Sequence, residues 1–169
     1  MSKIFIVIIL SLSIIIQGFG RCVLTDEELL NLTQKQTFRY FWDYAHPVSG
    51  LARERSNRTP ETVTVGGSGF GVMALIVGIE RCFITREQGA ERLLTMVDFL
   101  QNKATRYHGM WAHWINGTTG ETIPFSPKDN GADIVESSFM FEGLLTARQY
   151  FNRNNDVEIR IRAIIDTLW

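Results

Sequence analysis

From Thr25 onward, the chain alternates between segments whose apolar residues recur every three or four positions and segments rich in Gly, Pro and polar residues. A three-to-four step is the period of an amphipathic helix. Thr25-Asp-Glu-Glu28 has the form of a capping box, in which a Thr side chain caps the third helical amide and a Glu reaches back. It predicts a helix to about Ala45, with Leu29, Leu30, Leu32, Phe38, Phe41 and Trp42 on its apolar side, ended by His46-Pro47. A long loop follows to about Gly66. Gly66-Gly-Ser-Gly-Phe-Gly71 then opens an apolar helix, Val72 to Glu80, which should be buried on most sides. Thr85-Arg-Glu-Gln88 is a second capping box and starts a helix to about Ala104. The stretch from Tyr107 to Lys128 reads as a second long loop, rich in aromatics. From about Asn130 to Phe151 the helical period returns, with Ile134, Phe139, Phe141, Leu144, Leu145 and Tyr150 inward. A last amphipathic helix begins near Asp156 and carries no stop signal before Trp169, which suggests a cut chain. Thr62-Val-Thr-Val65 is the one strand-like piece. The fold class is therefore all-α, either a helical bundle or a toroid of helical hairpins.

The first 22 residues differ from the rest. Lys3 precedes an apolar run from Ile4 to Ile16, followed by Gly18 and Gly20. A basic start, a short apolar core and small residues describe a secretory signal peptide. The run falls short of the ~20 residues that span a bilayer, so a signal anchor is the lesser alternative. Cys22 raises lipoprotein anchoring, against which stands Arg21, where such signals need a small residue. The domain reading is thus 1–22 signal peptide and 23–169 mature chain, exported to the periplasm or outside the cell.

Composition narrows the partners. With 169 residues, 45% hydrophobic and 21% charged, the chain has the make-up of one globular domain. A formal net charge of -1 offers no basic excess for nucleic acid. Cys22 and Cys82 form no disulfide framework, and Cys82 reads as a small buried residue. No Cys/His spacing suits a metal, and no cofactor is expected.

Four constellations could carry chemistry. Asp129, Asp133 and Glu136 follow at steps of four and three at a predicted helix start, which places them on one face. Paired carboxyls serve glycoside hydrolysis, yet acids also sit at helix starts merely as caps; spacing leaves both readings open. Tyr107-His-Gly-Met-Trp-Ala-His-Trp114 offers flat faces for sugar rings, with one of Trp111 and Trp114 expected in the core and the other at a cleft. His113 reads as a hydrogen-bonding neighbour rather than a metal ligand. Arg53 and Arg55 could hold hydroxyls or form a surface network with Glu54, and the residues alone favour the network. The Gly-rich segment lacks a βαβ setting for a nucleotide, and Ser68 within it reads as a helix cap.

These same segments carry a resemblance. QKQTFRYFWDYAHPVSGLARERSN (34–57), VTVGGSGFGVMALIVGIERCFITREQG (63–89) and HGMWAHWINGTTGETIPFSPKDNGADIVESSFMFEGLLTARQYF (108–151) resemble the glucoamylase-like domain family, which includes secreted bacterial endo-β-1,2-glucanases. The resemblance runs from about Thr25 to Trp169. It implies the N-terminal part, about five helices, of an (α/α)6 toroid and hydrolysis of β-linked glucan, β-1,2-glucan foremost, without a metal. It implies catalytic roles for Asp129, Asp133 and Glu136, with Asp129 tuning the other two, and sugar binding by Trp111, His113, Trp114, Arg53 and Arg55. Two departures accompany it. The family domain is considerably longer, and its general-acid carboxylate lies downstream of Trp169, so this portion alone is expected to be inactive. A non-catalytic sugar-binding half-toroid and a polysaccharide lyase are the alternatives.

Overall fold

The computed structural model describes residues 23–57 and 59–169. The expected signal peptide and the Cys22 anchor lie outside the described residues. The chain divides into two units, one to Thr33 and one from Gln34 to Trp169. Five helices are described: α1 (Asp26–Asp43), α2 (Val65–Glu80), α3 (Arg86–Asn102), α4 (Ile134–Tyr150) and α5 (Asp156–Leu168). Both capping boxes form. Thr25 and Glu28 exchange hydrogen bonds at the start of α1, the Thr25 amide donating to Glu28 at 2.8 Å. Thr85 and Gln88 do the same at the start of α3. In the first unit, Leu29, Leu30 and Leu32 are exposed rather than packed; of the α1 residues, only Phe38 is buried.

Within the second unit, α2 packs against α4, and α3 against α5. Successive helices thus alternate between two layers. The α3–α5 layer meets through Leu93, Met96, Leu100, Ile161, Ile165 and their neighbours, all buried. Each such side chain contributes roughly 1.5–3 kcal/mol when removed from water. Between α2 and α4 the approach is closer. A Cβ on Gly69 would run into the Phe139 carbonyl, and one on Gly143 would lie 2.5 Å from the Gly69 carbonyl oxygen. This contact corrects the expected start of α2. The helix begins at Val65, not Val72, and its glycines lie inside it, where a second helix backbone replaces the missing side chains.

Other expectations change as well. The α2 helix is not buried on most sides, since Phe70, Met73 and Val77 are exposed. On α4, Ile134 and Phe139 are exposed instead of inward. Ser68 is no cap; buried in α2, it donates to the Thr64 carbonyl and accepts from the Ala52 amide, tying the 50s loop to the helix. Cys82 is exposed and adopts φ 57°. It occupies the left-handed position of a Schellman turn, with its amide donating to Ile79 and that of Phe83 to Gly78.

The predicted second loop holds short strands, which pair with one another and with the strand-like piece at Thr62. β1 (Thr62–Thr64), β4 (Trp114–Asn116) and β5 (Thr122–Ile123) form an antiparallel sheet in the order β1-β4-β5. Thr64 lies opposite Trp114, and Trp114 opposite Ile123. β2 (Arg106–Tyr107) and β3 (Met110–Trp111) form a hairpin turned by His108 and Gly109, both at positive φ. Strands of two or three residues are too short to show an alternating pattern. Pairing holds them, β1 to β4 across about 50 positions, and Thr64 and His113 come to the start of α4.

Candidate active site

The site forms where the N-terminal ends of α2 and α4 come together. Asp133 is the N-cap of α4: one carboxylate oxygen accepts from the Val135 amide at 2.9 Å and the Glu136 amide at 3.0 Å. Its own amide donates to the Trp111 carbonyl. Ser137, fully buried one turn on, accepts from the Trp111 amide at 2.9 Å. The end of β3 is therefore fastened to the first turn of α4, which brings in His113 two residues later. The other Asp133 oxygen meets His113 Nδ1 at 3.0 Å.

Glu136 acts across the gap. The N-cap of α2, Thr64, makes no capping bond with its side chain. Glu136 takes that role: its Oε2 accepts from the Gly66 amide at 2.8 Å and from the Thr64 hydroxyl at 3.0 Å. The His113 carbonyl accepts from the Val65 amide at 3.1 Å. Two of the amides that open α2 are thus satisfied by candidate site residues. Each carboxylate faces a helix N-terminus, whose free amides and dipole favour negative charge. This offsets the repulsion between two acids at one end of the fold.

Burial is the largest influence on the Asp133 carboxyl and opposes its ionisation. The amides of Glu136 and Val135 and the His113 ring together outweigh it, holding Asp133 below the usual carboxylate range. An ionised Asp133 only accepts, so His113 carries its proton on Nδ1. His113 Nε2 then faces Glu136 Oε1 at 4.0 Å, too far for a hydrogen bond. Both atoms keep bonding capacity for a ligand. The three side chains are 17–28% exposed, so none of them is sealed from solvent.

Aromatic rings cluster beside His113. Trp114 and Phe125 lie 4.7 Å apart between ring centroids, and Phe125 lies 4.7 Å from the His113 ring. Phe125 is half exposed, and sequence reasoning had not singled it out. Glu54 was also missed as a site neighbour. It pairs with Arg55, which is the largest influence on its carboxyl and lowers its pKa.

Several expected members sit elsewhere. Asp129 does not share a helix face with Asp133 and Glu136, because α4 starts after Asp133. It lies exposed in a turn closed by backbone bonds to Phe125 and Ser126, and none of the influences on Asp133 comes from it. Trp111 is the core member of its pair: fully buried, it packs on Phe141 and under Arg106, out of reach of a sugar. Arg55 is exposed in its pair with Glu54. Arg53 is half-buried, with its Nε enclosed and without a partner among the described residues. Its charge is felt at His46 and Glu61 rather than at Asp133. Among the described residues, no group of His, Cys, Asp and Glu is placed to hold a metal ion.

No family model matches the chain. It is 55% identical over 147 residues to the exo β-1,2-glucooligosaccharide sophorohydrolase (non-reducing end) of Parabacteroides distasonis, a match covering 86% of this chain and 20% of that protein. A candidate glucoamylase from Bacteroides uniformis superposes with a TM-score of 0.85 at 70% identity, over 87% of this chain and 36% of that one. An endo-β-1,2-glucanase from Chitinophaga pinensis, solved with sophorotriose and glucose, superposes with a TM-score of 0.83 at 54% identity, over 87% and 37%. The chain therefore spans a fifth to little more than a third of the length of these relatives. In sequence and in fold, it is a homologue of a portion of the β-1,2-glucanases and glucoamylase-like proteins.

Proposed function

We propose that the protein containing this chain is an exported glycoside hydrolase that cleaves β-1,2-linked glucan. The observation that carries this reading is that Asp133 bonds one nitrogen of the His113 ring while Glu136 stands 4.0 Å from the other, beside Trp114 and Phe125. The relatives named for action on β-1,2-linked glucose support the substrate class. The alternation of helices between two layers supports an (α/α)6 toroid in which α2 and α4 belong to the inner ring.

The chemistry follows from the free valences. A glycosidic bond breaks through an oxocarbenium-like transition state, helped by one carboxyl that protonates the leaving oxygen and another that activates water or attacks the sugar. Glu136 Oε1, which accepts no hydrogen bond among the described residues and lies 4.0 Å from His113 Nε2, suits the carboxylate part. Asp133, ionised and tied to His113, fixes that ring and its tautomer, so that Nε2 can accept a sugar hydroxyl or a water. Trp114 and Phe125 present faces on which pyranose rings stack. Protonation of the leaving oxygen calls for a further carboxyl besides Glu136, a role that an ionised Asp133 does not fill. Lys3 and the apolar run after it support export, which N-terminal sequencing of the secreted protein would check.

The test is an assay of the protein expressed from its complete reading frame, incubated with β-1,2-, β-1,3- and α-1,4-glucans. Sophoro-oligosaccharides released from the β-1,2 polymer alone are expected. Binding without cleavage would shift the reading to a sugar-binding protein. Products absorbing in the ultraviolet would indicate a lyase.

A further inference from the structure

Glu136 and the start of α2 make a contact that no spacing in the sequence announces. The two residues that hold the carboxylate, Thr64 and Gly66, stand 72 and 70 positions away from it. Both bonds go to the same oxygen, Oε2. Among the described residues Oε1 accepts no hydrogen bond, and His113 Nε2 lies 4.0 Å from it. The seat is also shaped by an absent side chain. A Cβ on Gly66 would lie 2.7 Å from Oε2 and 2.9 Å from the carboxyl carbon. Thr64 in turn is fixed as a strand end: its amide donates to the Ala52 carbonyl, and its carbonyl accepts from Ser68.

We propose that Thr64 and Gly66 are positioning residues that seat Glu136 Oε2 on the N-terminus of α2 and thereby aim Oε1 at the reacting sugar. The proposal rests on the glycosidase reading above. A free Glu side chain rotates about three bonds. Held by two donors at one oxygen, it keeps its second oxygen in one place, which is the kind of restriction that raises the rate of the chemical step. The seat has a further effect on α2. Because Thr64 caps nothing with its own side chain, the hydroxyl is free to donate to Glu136 rather than accept from the helix.

Two variants separate positioning from folding. Thr64→Val keeps the shape and the strand preference of the residue and removes only the hydroxyl. Gly66→Ala suits a helix better than Gly does and meets only the mobile end of a side chain, so α2 should form while Glu136 is pushed off its seat. In the complete protein, T64V should lower kcat about ten-fold, the size of one lost hydrogen bond to a charged group. KM should stay within about two-fold, and T64S should restore kcat. G66A should lower kcat at least as far with an unchanged or raised Tm. A kcat unchanged in both variants, or a loss in T64V that T64S does not restore, overturns the proposal. A complete protein inactive on every glucan defeats the functional reading instead. The seat is then still read by a double-mutant cycle in Tm between T64V and Glu136→Ala. Losses that simply add would show that Thr64 does not hold Glu136; a double variant no less stable than E136A alone would show that it does.

Discussion

Glu136 and Glu158 are both drawn in against a helix start, and their surroundings differ in one respect that decides what each can do. Glu158, in the first turn of α5, is almost fully buried. Its Oε1 accepts from Arg86 Nε at 3.0 Å and Asn155 Nδ2 at 3.3 Å, and its Oε2 from Arg86 Nη2 at 3.0 Å and the Arg153 amide at 2.8 Å. Arg86 lies over the Tyr150 ring and donates to the Tyr150 carbonyl, so the pair clamps the end of α4 to the starts of α3 and α5. Every bonding direction of that carboxylate is occupied. Glu136 has one occupied oxygen and one open oxygen. A carboxylate with complete partners can only stabilise the fold; one left half-partnered and not sealed from solvent can react. Both arise from acids in the first turn of a helix, which is why composition and spacing alone do not tell them apart.

The largest expected effect tests Glu136. Glu136→Gln retains a carbonyl oxygen that can accept from Thr64 and Gly66 but loses the charge. In the complete protein, kcat should fall about 10²–10⁴-fold, with little change in KM or Tm. Steady-state kinetics beside a melting curve reads both, and an unchanged kcat would place Glu136 in the same class as Glu158. The converse substitution, Glu158→Ala, leaves the Arg86 guanidinium without its partner in a mostly buried position. It should cost about 3 kcal/mol in urea unfolding while leaving kcat of the folded fraction unaltered.

A pH titration of stability sharpens the contrast at smaller scale. Burial is the largest influence on Glu158 and opposes ionisation, but Arg86, the Arg153 amide and Asn155 together hold its pKa below the ordinary 4.5. Its contribution is therefore complete above the unfolded value and is lost as pH falls through the lower folded value. His46 acts near neutrality. Burial keeps its pKa below the ordinary 6.5, against the pull of Glu61. The fold holds it neutral while the unfolded chain takes up a proton, so stability should drop as pH falls below 6.5 towards the folded value. Unfolding midpoints between pH 8 and 4 should show the upper step vanish in His46→Asn and persist in Glu158→Gln. The smallest effect is a control that touches neither acid. Cys82→Gly relieves a left-handed residue at the end of α2 and should raise stability by up to about 1 kcal/mol, read as a higher Tm.

Much of the helical frame was legible because its signals are local. Thr25 with Glu28 and Thr85 with Gln88 mark helix starts through bonds spanning three residues, and the apolar period of α5 appears within a few turns. Asp133 and Glu136 were also legible as a pair, since a helix start brings residues three apart to one side. Asp129 was misplaced for the same reason: the pattern of acids extends one turn further than the helix, which begins only after Asp133 caps it. Trp111 and Trp114 were separable in principle but not by name, because a Trp suits a core and a cleft equally well.

The residues of this chain thus specify on their own where three of the helices begin, which positions are apolar, and that acids gather before α4. Packing across long separations settled the rest. The glycines of α2 read as a loop until the backbone of α4 fills the space of their missing side chains. Strands of two or three residues exist only as partners of one another. The seat of Glu136 joins groups about 70 positions apart. Local hydrogen bonds can be read from neighbours in the chain, whereas the difference between an acid that holds a fold together and one poised to react lies in which distant groups reach each of its oxygens.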